Sequence, residues 1–207
     1  MLPLIQTLEG RVLMSATADA IRADQKVIDA DAKELKAEVA AAGKGVATEL
    51  KTITADVKGS TNKTETGAEL KTLKADGNAL VVKLKKDVAA LLKAGQGPSH
   101  KAAAHGVGVA NSPSNAALKT KLSADIAALS TALSAPLTTL VADASGAGAS
   151  ADLDAIVASN PTDTNLANDV AFGKATLNEG LTTFVNTATK FSADVGTLNT
   201  DLGTLVA

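Results

Sequence analysis

Toward the C-terminus, apolar residues recur at spacings of three and four: Val170, Leu177, Leu181, Phe184, Ala188, Phe191, Val195, Leu198, Leu202 and Leu205. Such spacing, held over five heptads, predicts one long helix with a single apolar seam that must be covered by other helices. A second seam runs from Ile21 through Ile28, Ala32, Leu35, Val39, Ala42, Val46, Leu50, Ile53 and Val57. It keeps phase across Gly43-Lys44-Gly45, which predicts one long helix weakened or bent at the glycines. A third places Leu70, Leu73, Leu80, Leu84, Val88 and Leu91 on one face, with Gly77 in the seam where two backbones can approach, and is expected to end near Gly95.

Gly95, Gly97, Pro98, Gly106, Gly108 and Pro113 punctuate the next stretch, which reads as a flexible loop over 95–114 containing both histidines. Beyond it Leu118, Leu122, Ile126, Leu129, Leu133, Leu137, Leu140 and Ala144 repeat every eleven residues, the signature of a straighter seam. Pro136 interrupts that helix, and the pattern leaves open whether it kinks one helix or separates two. Ser145 to Ser150 reads as a linker, 152–158 as a short helix, and Asn160-Pro161-Thr162-Asp163 as the start of the last one. The fold class is therefore all-α: an elongated antiparallel bundle of about four long helices with coiled-coil-like seams. Its helices are expected at 16–58, 64–94, 115–144 and 163–206, behind a leader at 1–15. Leu177, Leu181, Phe184, Phe191, Val195, Leu198 and Leu202 are expected to hold the last helix against the first.

Phrases beginning at Lys83, Lys121 and Lys190 resemble one another, but their unequal intervals exclude a regular solenoid. Their apolar letters fall on the seam, so they read as packing.

Composition narrows the chemistry. The 207 residues are 45% hydrophobic, ordinary for a globular chain, but only 1% aromatic: Phe172, Phe184 and Phe191, all in the last helix, with no Trp or Tyr. A core of Ala, Val, Leu and Ile suits closely approaching helices. The absence of cysteine excludes disulfides, thiolate metal sites and a Cys nucleophile. The net charge of −2 conceals an asymmetry: residues 1–110 carry sixteen basic and thirteen acidic side chains, an excess of +3, and residues 111–207 carry four and nine, an excess of −5. Solvated helix faces account for this, and with Arg only at Arg11 and Arg22 no nucleic-acid partner is expected.

No constellation for catalysis emerges. His100 and His105 lie five apart in the expected loop, unlike a helix-borne metal motif, and read as solvated. Asp29 and Asp31, and Asp152 and Asp154, form Asp-x-Asp pairs without the downstream Gly and Glu of a calcium loop. Phosphate loops, nucleophile elbows and dinucleotide fingerprints are absent, and Asn62-Lys63-Thr64 is a glycosylation sequon of a kind that arises often by chance. The pattern implies no catalytic residue, no cofactor and no metal.

Leu8-Glu9-Gly10-Arg11-Val12-Leu13-Met14-Ser15-Ala16 resembles the Leu-Glu-Pro-Arg-x-Leu-Leu-Ser-Ala segment near the start of many planctomycete surface and secreted proteins. Gly10 stands where that segment has Pro, and Met14 where it has Leu. The resemblance covers nine residues, carried by Leu8, Glu9, Arg11, Leu13, Ser15 and Ala16, and implies sorting to the surface or exterior. The segment is not a classical signal peptide, because it lacks a basic start and Glu9 and Arg11 interrupt its apolar run. No stretch is expected to reach membrane-spanning length.

These readings converge on a non-catalytic structural or interaction protein of the cell surface, with a second copy of itself or another surface protein as partner. The alternative is an amphipathic-helix protein that binds lipid or granule surfaces, with Lys83, Lys85 and Lys86 flanking the seam. The lack of interfacial Trp and Tyr counts against that alternative.

Overall fold

The computed structural model describes the backbone of residues 2–59 and 63–206 and the side chains of residues 16–59 and 64–206. The chain is an all-α helical bundle; among the described residues the helices are α1 (Leu2–Gly59), α2 (Lys63–Asn111), α3 (Ala116–Ala132), α4 (Ser134–Asp143), α5 (Ala147–Ala158) and α6 (Thr164–Gly203). They contribute to two compact units. The first comprises residues 1–34, 89–137 and 188–207, the second residues 35–88 and 138–187.

In the first unit α1 and α6 run antiparallel, with Lys190 of α6 bonded to Asp31 of α1, and Asp201 of α6 beside Asp24 of α1. α2 lies antiparallel to α3, Gly108 facing Leu118 and Gly95 facing Leu133. The seam side chains Ile21, Ile28, Leu91, Phe191, Leu198 and Leu202 are fully buried, which removes their apolar surface from water and supplies the main driving force for closure.

The second unit repeats the arrangement. Val81 of α2 meets Gly43 of α1, Val46 and Leu50 meet Gly77, and Glu49 meets Gly173 of α6, so α1 is antiparallel to both neighbours. A core at one end joins Ile53 and Val57 to Leu70, Leu73, Leu153, Ile156 and Leu166. Asn160, after α5, anchors there: its amide donates to Thr66 Oγ1 at 2.7 Å and to the Ile156 carbonyl at 3.0 Å.

Three elements differ from the sequence expectation. The segment read as a flexible loop over 95–114 is helix through Asn111, and the connection to α3 shrinks to 112–115. Packing overrides punctuation there. Gly95 is the site of close approach for the Phe191 ring, Ala102, Ala103, Val109 and Ala110 are buried, and the buried Ser99 hydroxyl donates to the Gly95 carbonyl at 2.5 Å beside Pro98. The helix expected over 115–144 is two, meeting at Leu133; Pro136 falls in the first turn of α4, where its missing N–H costs least. The linker expected over 145–150 is mostly helical, because α5 starts at Ala147, after Gly146 in the left-handed conformation at φ +61°. A Cβ at Gly146 would also lie 2.9 Å from Leu181, so only glycine fits this joint.

Of the stretch read as a leader over 1–15, the described residues 2–15 are backbone-continuous with α1, Pro3 falling in its first turn. The side chains of Leu8, Glu9, Arg11, Leu13 and Ser15 lie outside the described residues, as does Asn62 of the sequon; Ala16 is exposed. Against the expectation of no span-length apolar stretch, residues 116–158 contain a window with mean hydropathy 1.3, apolar and long enough by composition to cross a membrane. Breaks at Leu133 and at Ser145-Gly146 divide it, and its longest helix, α3, has 17 residues, below the ~20 a span needs.

Candidate functional site

Helix-interior glycines have two uses here. Some receive large side chains: Gly95 the Phe191 ring and Gly106 the end of Leu202 in the first unit, and Gly43 and Gly77 the ends of Val81 and Val46 in the second. In the second unit the small residues of α1 (Ala41, Ala42, Gly45), Gly77 of α2, and Gly173 and Gly180 of α6 stand around a cavity of about 400 Å³. A Cβ at Gly45 or Gly180 would meet nothing within 4 Å. The seam side chains lining this space, Val46, Leu50, Val81 and Leu177, are only half-buried, whereas Leu35 and Ile53 on either side along α1 are closed. Missing side-chain volume, rather than a displaced helix, therefore opens the seam.

The cavity wall is apolar and its polar residues are threonines and three carboxylates: Glu38, Glu49 and Glu179. Glu38 accepts a hydrogen bond from Thr187 Oγ1 at 2.8 Å. The Glu49 carboxylate lies over the bare face of Gly173, 3.2 Å from where a Cβ would stand, and Glu179 is exposed at the mouth. None of the described lining residues is basic. The volume and lining are those of a site for a small, largely apolar molecule.

A second arrangement consists of carboxylates facing one another across helix contacts. Asp24 faces Asp201, Asp31 faces Asp194, Asp56 faces Asp169, Asp87 faces Asp143 and Asp152 faces Asp76. Burial comes first in pushing Asp24, Asp31, Asp56, Asp87 and Asp152 above the ordinary 3.8, and the facing Asp adds to it in every case. One oxygen of each of these five is buried without a donor. Protonation of one carboxyl, which the upward shift favours as pH falls, supplies that donor and turns repulsion into an O–H···O⁻ bond. Lys190 adds a cation to the Asp31–Asp194 pair, bonding Asp31 and, at 3.1 Å, Asp194. Asp194 consequently lies below the ordinary value: the bond with Asp31 is the leading cause and Lys190 reinforces it against burial.

The two histidines are helical and belong to the first unit. His100 Nε2 lies 2.8 Å from Asp29 Oδ1, which also accepts from Gln96 at 2.8 Å; His105 Nδ1 lies 2.5 Å from Asp125 Oδ2, whose other oxygen accepts from Lys101 at 2.9 Å. Burial raises Asp29 and Asp125, but these donors outweigh it and hold both below the ordinary value. Each Asp-x-Asp motif is split by helix geometry. Asp29 serves α2 and Asp31 serves α6, while Asp152 faces Asp76 and Asp154 accepts from Lys174 at 2.7 Å. Among the described residues no group of three or more His, Cys, Asp or Glu is arranged to hold a metal ion.

The seam residues are brought together: Leu181, Phe184, Phe191, Val195, Leu198 and Leu202 are buried and Leu177 is half-buried at the cavity. Sequence reading did not find the cavity. Its only sequence signal is the coincidence of glycine or alanine at seam-adjacent positions of three helices, and that coincidence is visible only once the helices are in register. No family model, curated protein or solved structure matches the chain.

Proposed function

We propose that the protein is a non-catalytic helical bundle serving as a structural or interaction module at the cell surface or periphery. The observation that carries this reading is internal closure: the apolar stripes of α1, α2 and α6 pack against partners within the chain. Of the large hydrophobic side chains among the described residues, Val27, Val82, Val141 and Phe172 are the ones exposed. A closed bundle offers polar faces such as Lys83, Lys85 and Lys86 to partners while its seams stay occupied. The surface placement rests on the resemblance of residues 8–16 to a planctomycete sorting segment.

One observation favours the alternative, a lipid- or granule-binding protein: the apolar window within residues 116–158 is only 22% buried. Light scattering coupled to size exclusion, with and without anionic liposomes and with refractive detection, separates the two. A monomer or dimer that elutes independently of lipid supports the structural module; co-elution with liposomes overturns it in favour of the lipid-binding protein.

A further inference from the structure

We propose that the glycine-walled cavity of the second unit is a binding site for a small amphiphile made of an alkyl chain carrying one primary ammonium group.

The case begins with space. The cavity, about 400 Å³ and open to solvent at its mouth, has room for roughly a dozen waters at ~30 Å³ each. Its inner wall of Leu50, Val81 and Leu177 gives such waters no partners, so a hydrocarbon chain is the occupant it favours. The lining also sets the polarity of the other end. Glu38, Glu49 and Glu179 are the charged members of the described lining, and none of the lining residues is basic. An anionic amphiphile such as a fatty acid meets only like charge there; a cationic head meets acceptors. Of these carboxylates Glu179 is exposed and Glu38 already accepts from Thr187, whereas the half-buried Glu49 is set against the α6 backbone at Gly173, beside the apolar wall, so it is the head-group acceptor, with Glu38 and Glu179 adding negative potential. No aromatic side chain lines the site. Recognition of a quaternary ammonium relies on aromatic faces, whereas a primary ammonium relies on N–H donors to carboxylates, and the site supplies only the latter.

The test is calorimetric titration of the full chain with decylamine, decanoate and 1-decanol, each below its aggregation concentration at pH 7. The expected result is saturable 1:1 binding of decylamine, at least about ten-fold tighter than decanoate or decanol, since a charge-assisted hydrogen bond is worth about that factor. Glu49→Gln is expected to weaken decylamine by about the same ten-fold and leave decanol unchanged. Gly45→Leu, whose side chain projects into the open space, is expected to abolish binding of all three while its thermal melt shows the chain still folded. Equal or tighter binding of decanoate overturns the proposal. So does the absence of saturable binding by decylamine, or undiminished binding by folded Gly45→Leu. Should Gly45→Leu fail to fold, Glu49→Gln decides: unchanged decylamine affinity in that variant overturns the assignment.

Discussion

Gly95→Ala and Gly196→Ala make the same chemical change in the interior of long helices, yet the structure assigns them opposite signs. Replacing a helix-interior glycine by alanine gains ~1 kcal/mol from backbone entropy and propensity. At Gly196 in α6 the added methyl meets nothing within 4 Å, so the gain stands alone. At Gly95 in α2 the methyl would lie 2.7 Å from both Cε1 and Cζ of Phe191 and 2.9 Å from Leu133 Cδ2. The ring is fully buried and its atoms belong to a rigid plane, so relief requires the helices to part or the ring to leave its rotamer. Overpacking of this kind costs ~1–3 kcal/mol, and two ring atoms plus a methyl, all closer than 3.0 Å, place Gly95 in the upper part of that range. The two variants share the propensity gain, so their difference isolates the packing cost at ~2–3 kcal/mol, or ~4–12 °C in melting temperature for a chain of this size. Thermal melts followed by circular dichroism at 222 nm measure it directly, since helix is the signal and no Trp or Tyr is needed. Phe191→Leu, combined with Gly95→Ala, should recover part of the loss by removing the ring. If Gly95→Ala melts as high as Gly196→Ala, Phe191 does not pack over Gly95 and the account of why residues 95–111 are helical falls with it.

Stability should rise as pH falls from 7 toward 3.8, the ordinary Asp value. The raised carboxyls of Asp24, Asp31, Asp56, Asp87 and Asp152 bind protons more tightly folded than unfolded; their contribution is complete below the ordinary value and lost as pH rises through the raised ones. Below 3.8 the trend should reverse, because Asp29, Asp125 and Asp194 are lowered and their contribution, present above that value, disappears as pH falls through the lowered ones. Melting curves from pH 7 to 3 check both limbs, and a steady decline from 7 to 4 would contradict the first. Asp24→Asn should raise the melting temperature at pH 7 and flatten the acid limb, since an amide can donate to Asp201 without a proton from solvent; a lower melting temperature at pH 7 would show the pair is not repulsive. Phe191→Asp should prevent cooperative folding, because it buries a carboxylate in a fully closed apolar position, and an unchanged melting curve would show that α6 is not core there. Asn160→Ala should destabilise by ~1–3 kcal/mol, read in the same melts, through loss of the buried bonds to Thr66 and the Ile156 carbonyl; a smaller loss would mean that water replaces them.

Helix identity and the buried face were legible because both follow from one periodicity. Ile21, Ile28, Phe184 and Phe191 are buried in the seams that their three- and four-residue spacings define. Helix ends were less legible, because local punctuation and tertiary packing compete. Gly95, Gly97 and Pro98 carry the same letters as a loop, and what keeps them helical is a ring from α6, a hydroxyl from Ser99, and bonds from Gln96 and His100 to Asp29, 67 and 71 positions earlier. Gly146 is the converse case: the stretch 145–150 reads as a linker, but the break is confined to the joint, where Gly146 takes a positive φ before α5 starts at Ala147. The acid pairs were invisible for a different reason. Asp24 and Asp201 look like two solvated flank positions, and only the register between α1 and α6 brings them together.

The helices α3, α4 and α5 have 17, 10 and 12 residues, against 58, 49 and 40 for α1, α2 and α6. Isolated helices shorter than ~12–15 residues barely persist in water, so α4 and α5 owe their existence to what they lie against. Thermal fluctuation should release them at a free energy below that of global unfolding, starting from the joints at Leu133 and Gly146. In the second unit such a release would lift Leu153 and Ile156 off Leu70, Leu73 and Leu166 while the long helices kept their backbone bonds. The resulting species would be nearly as helical as the native protein yet carry an uncovered apolar stripe. Its population, set by two short joints rather than by the strength of the long seams, governs how often one molecule is able to exchange a segment with another or begin to aggregate.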